Sequence, residues 1–246
     1  MMSPLRRRAP FVSPDPFDGV LLVDKPSGMT SHDVVDCIRR CFHFDKVGHA
    51  GTLDPQGTGL LVLMLGRATK LADTLMGHDK TYQGTLRLGV STDTQDADGR
   101  VLREADPSGV TAEALRERMG ALEGDLMHTP PMVSAVKKGG VPLYKLARAG
   151  KIVDRTPKLV HIYEFRLTAF ALPRADFVLR CSKGVYVRTL CAEIGEALGC
   201  GAMLESLRRT QSGPFSLNDA APLASLRVMT REELKGRVIP LHRVPV

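Results

Sequence analysis

The chain has few cysteines and no long apolar run, and these shortages exclude several classes of protein. Its 246 residues include 5 cysteines, an odd number, and the N-terminus lacks the apolar stretch of a secretory signal. We therefore expect reduced thiols and a cytoplasmic protein. The longest apolar run, LLVLML at 60–65, has the length of a strand, whereas crossing a bilayer takes roughly 18 to 20 residues. No membrane partner is expected.

Motifs for nucleotide and metal sites are also missing. Neither GxxxxGK[ST] nor GxGxxG occurs, which disfavours a triphosphate site. Cys37, Cys41, His43 and His49 lack a Cys-x-x-Cys pair, and packed thiols are commoner than zinc ligands on a helix. The acidic turn DTQDADG at 93–99 lacks both anchoring carboxylates of a calcium loop. We therefore predict no metal site.

Positive charge, by contrast, is in excess and is unevenly spread. The formal net charge is +7, and the segment from Lys137 to Lys158 carries seven Lys or Arg against one acid, Asp154, with Tyr144 among them. Cations of this density bind a phosphate backbone by counterion release, and an aromatic ring can stack on a base. The segment predicts a nucleic-acid contact, although a solvated surface loop with a short helix has the same composition.

The spacing of apolar residues predicts both strands and helices. Strands are expected at GVLLVDK, LLVLML, KTYQGTLRLGV, HIYEFRLTAF, DFVLRC and AMLESLRRT, and helices after PSGM, at RATKLADTLM, at 111–120 and at VYVRTLCAEIGEAL. Thr30 or Ser31 would cap the first helix, which should end near His43. Its apolar face would be formed by Val34, Val35, Ile38, Cys41 and Phe42.

These elements follow one another without a steady βαβ rhythm. That order favours an α+β fold with a mixed, largely antiparallel sheet and flanking helices. Residues 1–18, with four prolines and three consecutive arginines, are expected to form a basic N-terminal extension. Residues 19–246 are expected to form a single domain.

The stretch GHAGTLDPQGTG at 48–59 places one carboxylate, Asp54, in a glycine-rich and otherwise nearly uncharged segment. Its four glycines, at 48, 51, 57 and 59, would permit positive φ and the close approach of another molecule. Pro55 fixes the chain directly after the acid, and a carboxylate on a rigid turn can serve as nucleophile or general base. An isolated Asp-Pro turn is more often a structural cap, and the residues alone leave both interpretations open.

Five segments, in order along the chain, resemble the motifs of the tRNA pseudouridine synthase B (TruB) family. They are LVDKPSGMTSHDVV at 22–35, KVGHAGTLDPQGTGLL at 46–61, KTYQGTLRLGVSTDTQDADG at 80–99, HTPPMVSAVKKGGVPLYKLARAG at 128–150 and CSKGVYVRTLCAEIGEALGCGAMLESLRRT at 181–210. The resemblance spans about residues 18–215. It departs at Val133, where an aromatic is expected, and at the C-terminus, where larger members continue into a PUA-type RNA-binding domain. We therefore expect a short form.

The resemblance implies a pseudouridine synthase fold and isomerisation of uridine at position 55, in the T loop of tRNA, to pseudouridine. The N1 glycosidic bond would break and C5 would join C1′, with no cofactor. Asp54 would attack the substrate, either at C1′ as nucleophile or by removing a sugar proton. Arg188 would pair with Asp54, and Tyr82 would stack on the flipped uracil.

The same resemblance assigns the other site residues. Tyr186 and Leu207 would line the uracil pocket, His49 would fill the space left by the flipped base, and Lys25 would support the site. Without the family, Tyr82, Tyr186 and Leu207 would each be interpreted as core residues, and His49, Lys25 and Arg188 as incidental. The RNA backbone would be held by the cations of the basic segment, which are Lys137, Lys138, Lys145, Arg148 and Lys151. The partner would be the T stem-loop of tRNA, bound by a monomer.

Two other classes remain open at this point. One is a non-catalytic tRNA-binding or tRNA-folding protein in which Asp54 is structural. The other is an aspartate-based hydrolase of a small substrate, which would have no use for the basic segment at 137–158.

Overall fold

The structure, a computed structural model, describes residues 15–134, 136–151 and 153–245. Within them lie fifteen strands: β1 Gly19–Lys25, β2 Val47–His49, β3 Thr58–Leu65, β4 Lys80–Leu88, β5 Val90–Thr92, β6 Val101–Glu104, β7 Gly124–His128, β8 Lys137–Lys138, β9 Val141–Pro142, β10 Lys158–Ala171, β11 Arg174–Cys181, β12 Ala202–Ser212, β13 Phe215–Ser216, β14 Ala221–Pro222 and β15 Ile239–Pro240. The same residues form seven α-helices: α1 Ser31–Phe42, α2 Ala72–Gly77, α3 Ala112–Gly120, α4 Leu143–Arg148, α5 Val187–Ala197, α6 Leu223–Leu226 and α7 Arg231–Lys235. Short 3₁₀ helices cover Gly66–Leu71, Leu217–Asp219 and Leu241–Arg243.

One large sheet organises these elements. Eleven strands join it, with the central order β14-β1-β3-β12-β4-β11-β10-β7. Two pairs, β1 with β14 and β3 with β12, are parallel, and the other pairs of this sheet are antiparallel. The predicted α+β fold with a mixed, largely antiparallel sheet and flanking helices is confirmed.

Amphipathic helices cover the sheet and enclose the core. Thr30 caps α1, as one of the two predicted residues, because its side chain accepts the Asp33 N–H while Asp33 reaches back to the Thr30 N–H. Val34, Val35, Ile38 and Phe42 are buried against β1 and β3, whereas Cys41 is exposed. The prediction that Cys41 belongs to the apolar face is therefore wrong, because its position falls at the edge of the buried stripe.

Alternation along β4 agrees with the sequence. Tyr82, Gly84, Leu86 and Leu88 are all buried on one side of the strand, which belongs to a core shared with α3, α5, β10 and β11. Of the predicted N-terminal extension, residues 1–14 lie outside the described residues, and Phe17 is buried with its ring 5.3 Å from that of Phe44.

Two of the four glycines around Asp54 adopt a positive φ, which other residues rarely adopt. Gly51 and Gly59 have φ of +100° and +94°, whereas Gly48 and Gly57 do not adopt positive φ. A Cβ at Gly59 would lie 2.3 Å from the carbonyl oxygen of Arg209, so glycine there lets β3 approach β12 closely. This close parallel pairing sets the Asp54 loop beside β12 and β4.

No helix among the described residues is long and apolar enough to cross a membrane.

Candidate active site

The loop that carries Asp54 joins β2 to β3 and is held on both sides of the acid. Before it, the Ser31 hydroxyl accepts the Leu53 N–H at 2.8 Å and donates to the Leu53 carbonyl at 3.1 Å. After it, the Pro55 carbonyl accepts the ammonium of Lys25 at 3.0 Å. These bonds fix the backbone around the carboxylate before any substrate binds, which reduces the entropy lost in reaching a reactive geometry.

The buried guanidinium of Arg188, the second residue of α5, links Asp54 to a further carboxylate. Its Nη2 lies 3.5 Å from Asp54 Oδ2, and its Nη1 lies 3.4 Å from Asp96 Oδ2. The Arg188 side chain is 4% exposed and that of Asp54 is 50% exposed. The planar guanidinium thus holds the Asp54 carboxylate at one side, and the half-exposed carboxylate remains open to a ligand.

Asp54 titrates in an environment with opposing influences. Burial in the cleft raises the pKa of its carboxyl, Arg188 lowers it, and Asp96 raises it again. Because half of the side chain remains exposed, solvent screens both the cost of burial and the charges. Burial has the larger effect, so the pKa of the Asp54 carboxyl lies above its ordinary value, and the ion pair with Arg188 limits that rise.

A cleft of about 240 Å³ opens beside Asp54. Tyr82, Tyr186 and Leu207, which the resemblance assigns to the site, line it together with Arg188. Tyr82 is 8% exposed, and burial raises the pKa of its phenol, so the hydroxyl stays protonated at neutral pH. Aromatic and aliphatic walls next to a carboxylate form a suitable site for a flat, uncharged base.

The cleft also contains two buried cations that the sequence analysis did not assign. Arg209, 1% exposed, donates to the carbonyl of Gly51 at 3.0 Å and to that of Leu60 at 2.7 Å. Lys80 lies near it, and burial, followed by the charge of Arg209, lowers the pKa of this ammonium to about 8. Both residues line the cleft, and Arg209 is hydrogen-bonded to the Asp54 loop at Gly51.

Arg208 and Arg209 are neighbours on β12, and the structure places their side chains in different surroundings. Successive side chains of a strand point to opposite faces. Arg208 forms an ion pair with Asp24 at 2.7 Å, whereas Arg209 is buried in the cleft. Strand alternation could have indicated this separation. Asp96 lies in the acidic turn DTQDADG, which the sequence analysis tested only as a calcium loop, and the structure pairs it with Arg188.

Two other predicted residues lie apart from the walls of the cleft. Lys25 is fully buried beneath the loop, where its ammonium donates to the carbonyls of Pro26 and Pro55, and burial lowers its pKa to about 8. His49 ends β2, and burial followed by the charge of Arg209 lowers its pKa. Neither is among the described residues that line the cleft. Lys25 therefore supports the loop from within the protein.

The basic segment is built from short elements at the surface. Lys138, Lys145 and Lys151 lie along it, and the Lys138 ammonium donates to the carbonyl of Asp154 at 2.6 Å. The side chains of Lys137 and Arg148 are outside the described part of the structure. Within the described ranges, no three His, Cys, Asp or Glu side chains are grouped so that they could hold a metal ion.

Two family models match consecutive parts of the chain. Residues 39–187 match the family model of the TruB family pseudouridylate synthase (N terminal domain), and residues 188–244 match that of the tRNA pseudouridylate synthase B C-terminal domain. The two matches meet within α5, directly before Arg188.

Relatives of known name resemble most of the chain. Over 226 residues it is 49% identical to tRNA pseudouridine synthase B of Opitutus terrae, covering 92% of this chain and 94% of the relative. Over 224 residues it is 48% identical to tRNA pseudouridine synthase B of Burkholderia pseudomallei, covering 91% and 74%.

Among solved structures, a Cbf5-Nop10-Gar1 complex contains a chain that superposes with a TM-score of 0.73 at 28% identity. The match covers 93% of this chain and 61% of that one. A second, an H/ACA RNP bound to a substrate RNA containing 2'-deoxyuridine, superposes with a TM-score of 0.69 at 25% identity, covering 93% and 60%.

Proposed function

This chain belongs to the TruB family of pseudouridylate synthases, and on that premise we propose that it converts uridine 55 in the T loop of tRNA to pseudouridine. Relatives named tRNA pseudouridine synthase B are 47 to 52% identical to it, over 84 to 94% of its length. Isomerisation of uridine in tRNA is the activity that family and relatives support, and position 55 is the finer proposal.

The reaction rearranges atoms without gaining or losing any. The bond between N1 and C1′ breaks, the uracil turns, and C5 bonds to C1′. The hydrogen on C5 leaves as a proton, and N1 carries one in the product. No electron acceptor and no phosphoryl donor is consumed, so a carboxylate, a cation that orients it and a pocket for the turning base are the required parts.

The observation that carries the proposal is the Asp54 carboxylate, ion-paired with Arg188 at 3.5 Å, at the mouth of a cleft walled by Tyr82, Tyr186 and Leu207. We assign Asp54 to the attack on the sugar, either at C1′ as nucleophile or by removal of a sugar proton. Arg188 would keep it ionised and oriented. Tyr82 would stack on the uracil and contribute to moving the C5 proton.

The target base must leave the folded T loop to reach Asp54, since an enzyme acting on a base takes it out of its stack. We assign His49 to the space the base leaves, because it ends β2 directly before the Asp54 loop. The cations Lys138, Lys145 and Lys151 would hold the RNA backbone. Lys137 and Arg148 belong to the same proposed contact.

Unmodified tRNA transcripts test the proposal. With uridines tritiated at C5, each turnover releases one tritium to solvent, and mapping of the product locates the pseudouridine. We expect about one tritium released per tRNA and the product at position 55. A transcript with cytidine at position 55 should release none. Release from that transcript at the same rate would rule out position 55, and no release from either would rule out the activity.

A further inference from the structure

His128 is a buried histidine outside the cleft that contacts its wall. It ends β7 and is 1% exposed. Its Nε2 accepts the backbone N–H of Tyr186 at 3.0 Å, and its ring stacks on that of Tyr186 with centroids 6.1 Å apart and an angle of 18°. One imidazole thus holds both the backbone and the ring of a residue that lines the cleft.

This contact requires one protonation state of the imidazole. The Tyr186 N–H can only donate, so Nε2 must be the unprotonated nitrogen and Nδ1 must carry the hydrogen. Nδ1 is buried and has no hydrogen-bond partner among the described residues. A second proton would bind to Nε2. The Nε2–H and the Tyr186 N–H would then both be donors, and the hydrogen bond between them would be lost.

The segment that begins at His128 contacts α5 a second time. The carbonyl of Val133 accepts a hydrogen bond from Nη2 of Arg188. Tyr186 is the N-cap of α5 and makes no side-chain cap of its own. The segment from His128 to Val133 therefore holds the start of α5 at Tyr186 and Arg188. Because Val133 acts through its backbone carbonyl, this contact does not depend on an aromatic side chain there.

We propose that neutral His128 is a positioning residue for the isomerisation, which sets Tyr186 against the base and Arg188 against Asp54. The inference rests on the proposed function. It assigns His128 no contact with substrate, and it places the effect in the chemical step and not in tRNA binding.

The surroundings favour the neutral imidazole at neutral pH. Burial lowers the pKa of His128 below its ordinary value of 6.5. The adjoining elements carry four ionisable side chains. Lys158 lies opposite His128 on β10, Lys183 lies in the turn after β11, and Tyr186 and Arg188 lie at the start of α5. Burial is the cause of this shift, and three carboxylates on the adjoining parts of the chain have other partners, Asp125 with His161 and both Asp54 and Asp96 with Arg188. Protonation below the ordinary histidine range would therefore be uncompensated and would loosen the start of α5.

Two amide side chains of different length test whether His128 acts through its hydrogen bond with the Tyr186 N–H. In His128→Gln, an amide oxygen extends about as far as Nε2 and can accept the Tyr186 N–H, whereas the shorter His128→Asn cannot. With enzyme in excess over tRNA, we expect the single-turnover rate of His128→Gln to stay within about threefold of the wild type and that of His128→Asn to fall about 10- to 100-fold. The dissociation constant for tRNA should be unchanged in both.

The pH dependence supplies a readout that a merely structural role would not move. Between about pH 5 and pH 8 the wild-type rate should fall in acid as both His128 and Asp54 take up protons. In His128→Gln only Asp54 remains, so the fall should be less steep, because one protonation and not two then lowers the rate. Superimposable profiles, or a wild-type rate for His128→Asn, would overturn the proposal.

A measurement without RNA distinguishes failure of this inference from failure of the proposed function. The Tyr186 amide resonance, followed by NMR, should shift with the protonation of His128 in the wild type and not in His128→Gln, and its hydrogen exchange should be fastest in His128→Asn. If these NMR results are obtained but the wild type forms no pseudouridine, the proposed function is rejected and the contact between His128 and Tyr186 stands. If the Tyr186 amide resonance does not change with pH, the hydrogen bond between His128 and Tyr186 is rejected, whether or not the wild type is active.

Discussion

The loop around Asp54 and the basic segment at 137–158 meet the RNA in our proposal, but they are built in opposite ways. Backbone groups on both sides of Asp54 are hydrogen-bonded to β1, α1 and β12, and its carboxylate is paired with Arg188. The basic segment consists of two strands of two residues and one helix of six, and its lysines lie at the surface.

This difference follows from what each region has to do. Attack on the sugar requires an atom placed to within a fraction of an ångström, and only a loop fixed by the rest of the fold provides that. Attraction of a phosphate backbone falls off slowly with distance, so lysine ammonium groups on long side chains supply it without fixed geometry. Changes at the loop should therefore alter the rate, and changes at the segment should alter binding.

The largest effect is expected for Asp54→Asn. The substitution keeps the size of the side chain and removes the charge that attacks, so pseudouridine formation should fall by at least about 10⁴-fold. Because the contacts of the segment remain, the dissociation constant for tRNA should change less than threefold. Asp45→Asn, an exposed acid between α1 and β2, is the matched control for rate and binding. Activity of Asp54→Asn equal to that of the wild type would remove the catalytic assignment.

Arg188→Lys should have the second largest effect. A single ammonium cannot bond Asp54, Asp96 and the Val133 carbonyl together, so we expect a rate loss of about 10²-fold at neutral pH. Arg188 lowers the pKa of Asp54, and a weaker pair should move the acid limb of the pH–rate profile to higher pH. Single-turnover rates across pH measure both.

Arg180→Lys is the control for that experiment, since Arg180 is exposed and stacks over the Tyr163 ring outside the cleft. It should leave the rate and the acid limb unchanged. A full rate in Arg188→Lys would show that charge alone is sufficient next to Asp54.

Lys25→Met tests how firmly the loop is supported, and its effect should depend on pH. Burial lowers the pKa of Lys25 from 10.5 to about 8 in the folded chain. The unfolded chain then binds more protons between these values, so the wild type gains stability as pH rises through that window. Relative to Lys25→Met, the gain should be roughly 2 to 3 kcal/mol between about pH 7 and pH 10. Urea unfolding at both pH values measures it.

The exposed Lys46 provides the comparison, because Lys46→Met should show no such dependence on pH. An identical pH response of the wild type and Lys25→Met would mean that Lys25 does not carry a buried charge under the loop.

The smallest effect is expected when Lys138, Lys145 and Lys151 are together replaced by Gln. Binding to tRNA should weaken about 10-fold at moderate salt, and the slope of log affinity against log salt should fall by roughly one for each phosphate that is no longer neutralised. The rate at saturating enzyme should be unchanged. Replacing Lys46, Lys70 and Lys235, exposed lysines elsewhere, removes the same charge and should weaken binding less. Equal weakening in both triple variants would mean that net charge, and not this segment, binds the RNA.

Much of the fold was predictable because its information is local. Alternation placed Tyr82 on the buried side of β4, and the spacing of Val34, Ile38 and Phe42 defined the buried side of α1. Thr30 was recognisable as a cap. The edge of the buried stripe was not, since the exposure of Cys41 depends on how α1 lies on β1 and β3.

The site was only partly predictable, for the same reason. Motif resemblance named Asp54, Tyr82, Tyr186, Arg188 and Leu207, which the structure brings to one cleft. It did not reveal that Arg209 supports the Asp54 loop, that Asp96 shares Arg188, or that His128 contacts Tyr186. Each of these contacts joins residues more than 50 positions apart, and local periodicity carries no information about which distant strands become neighbours.

The sequence by itself determined the chemistry that is available and the local elements that present it: one carboxylate on a rigid Asp-Pro turn, an arginine in an amphipathic helix, and a tyrosine on an alternating strand. Only the tertiary structure decided that β12 lies between β3 and β4, with Gly59 letting two backbones approach. The order of strands in a sheet is set by which arrangement buries all the apolar faces at once, which is a property of the whole chain and not of any segment. That order brings Arg209 to the Asp54 loop and into the wall of the cleft.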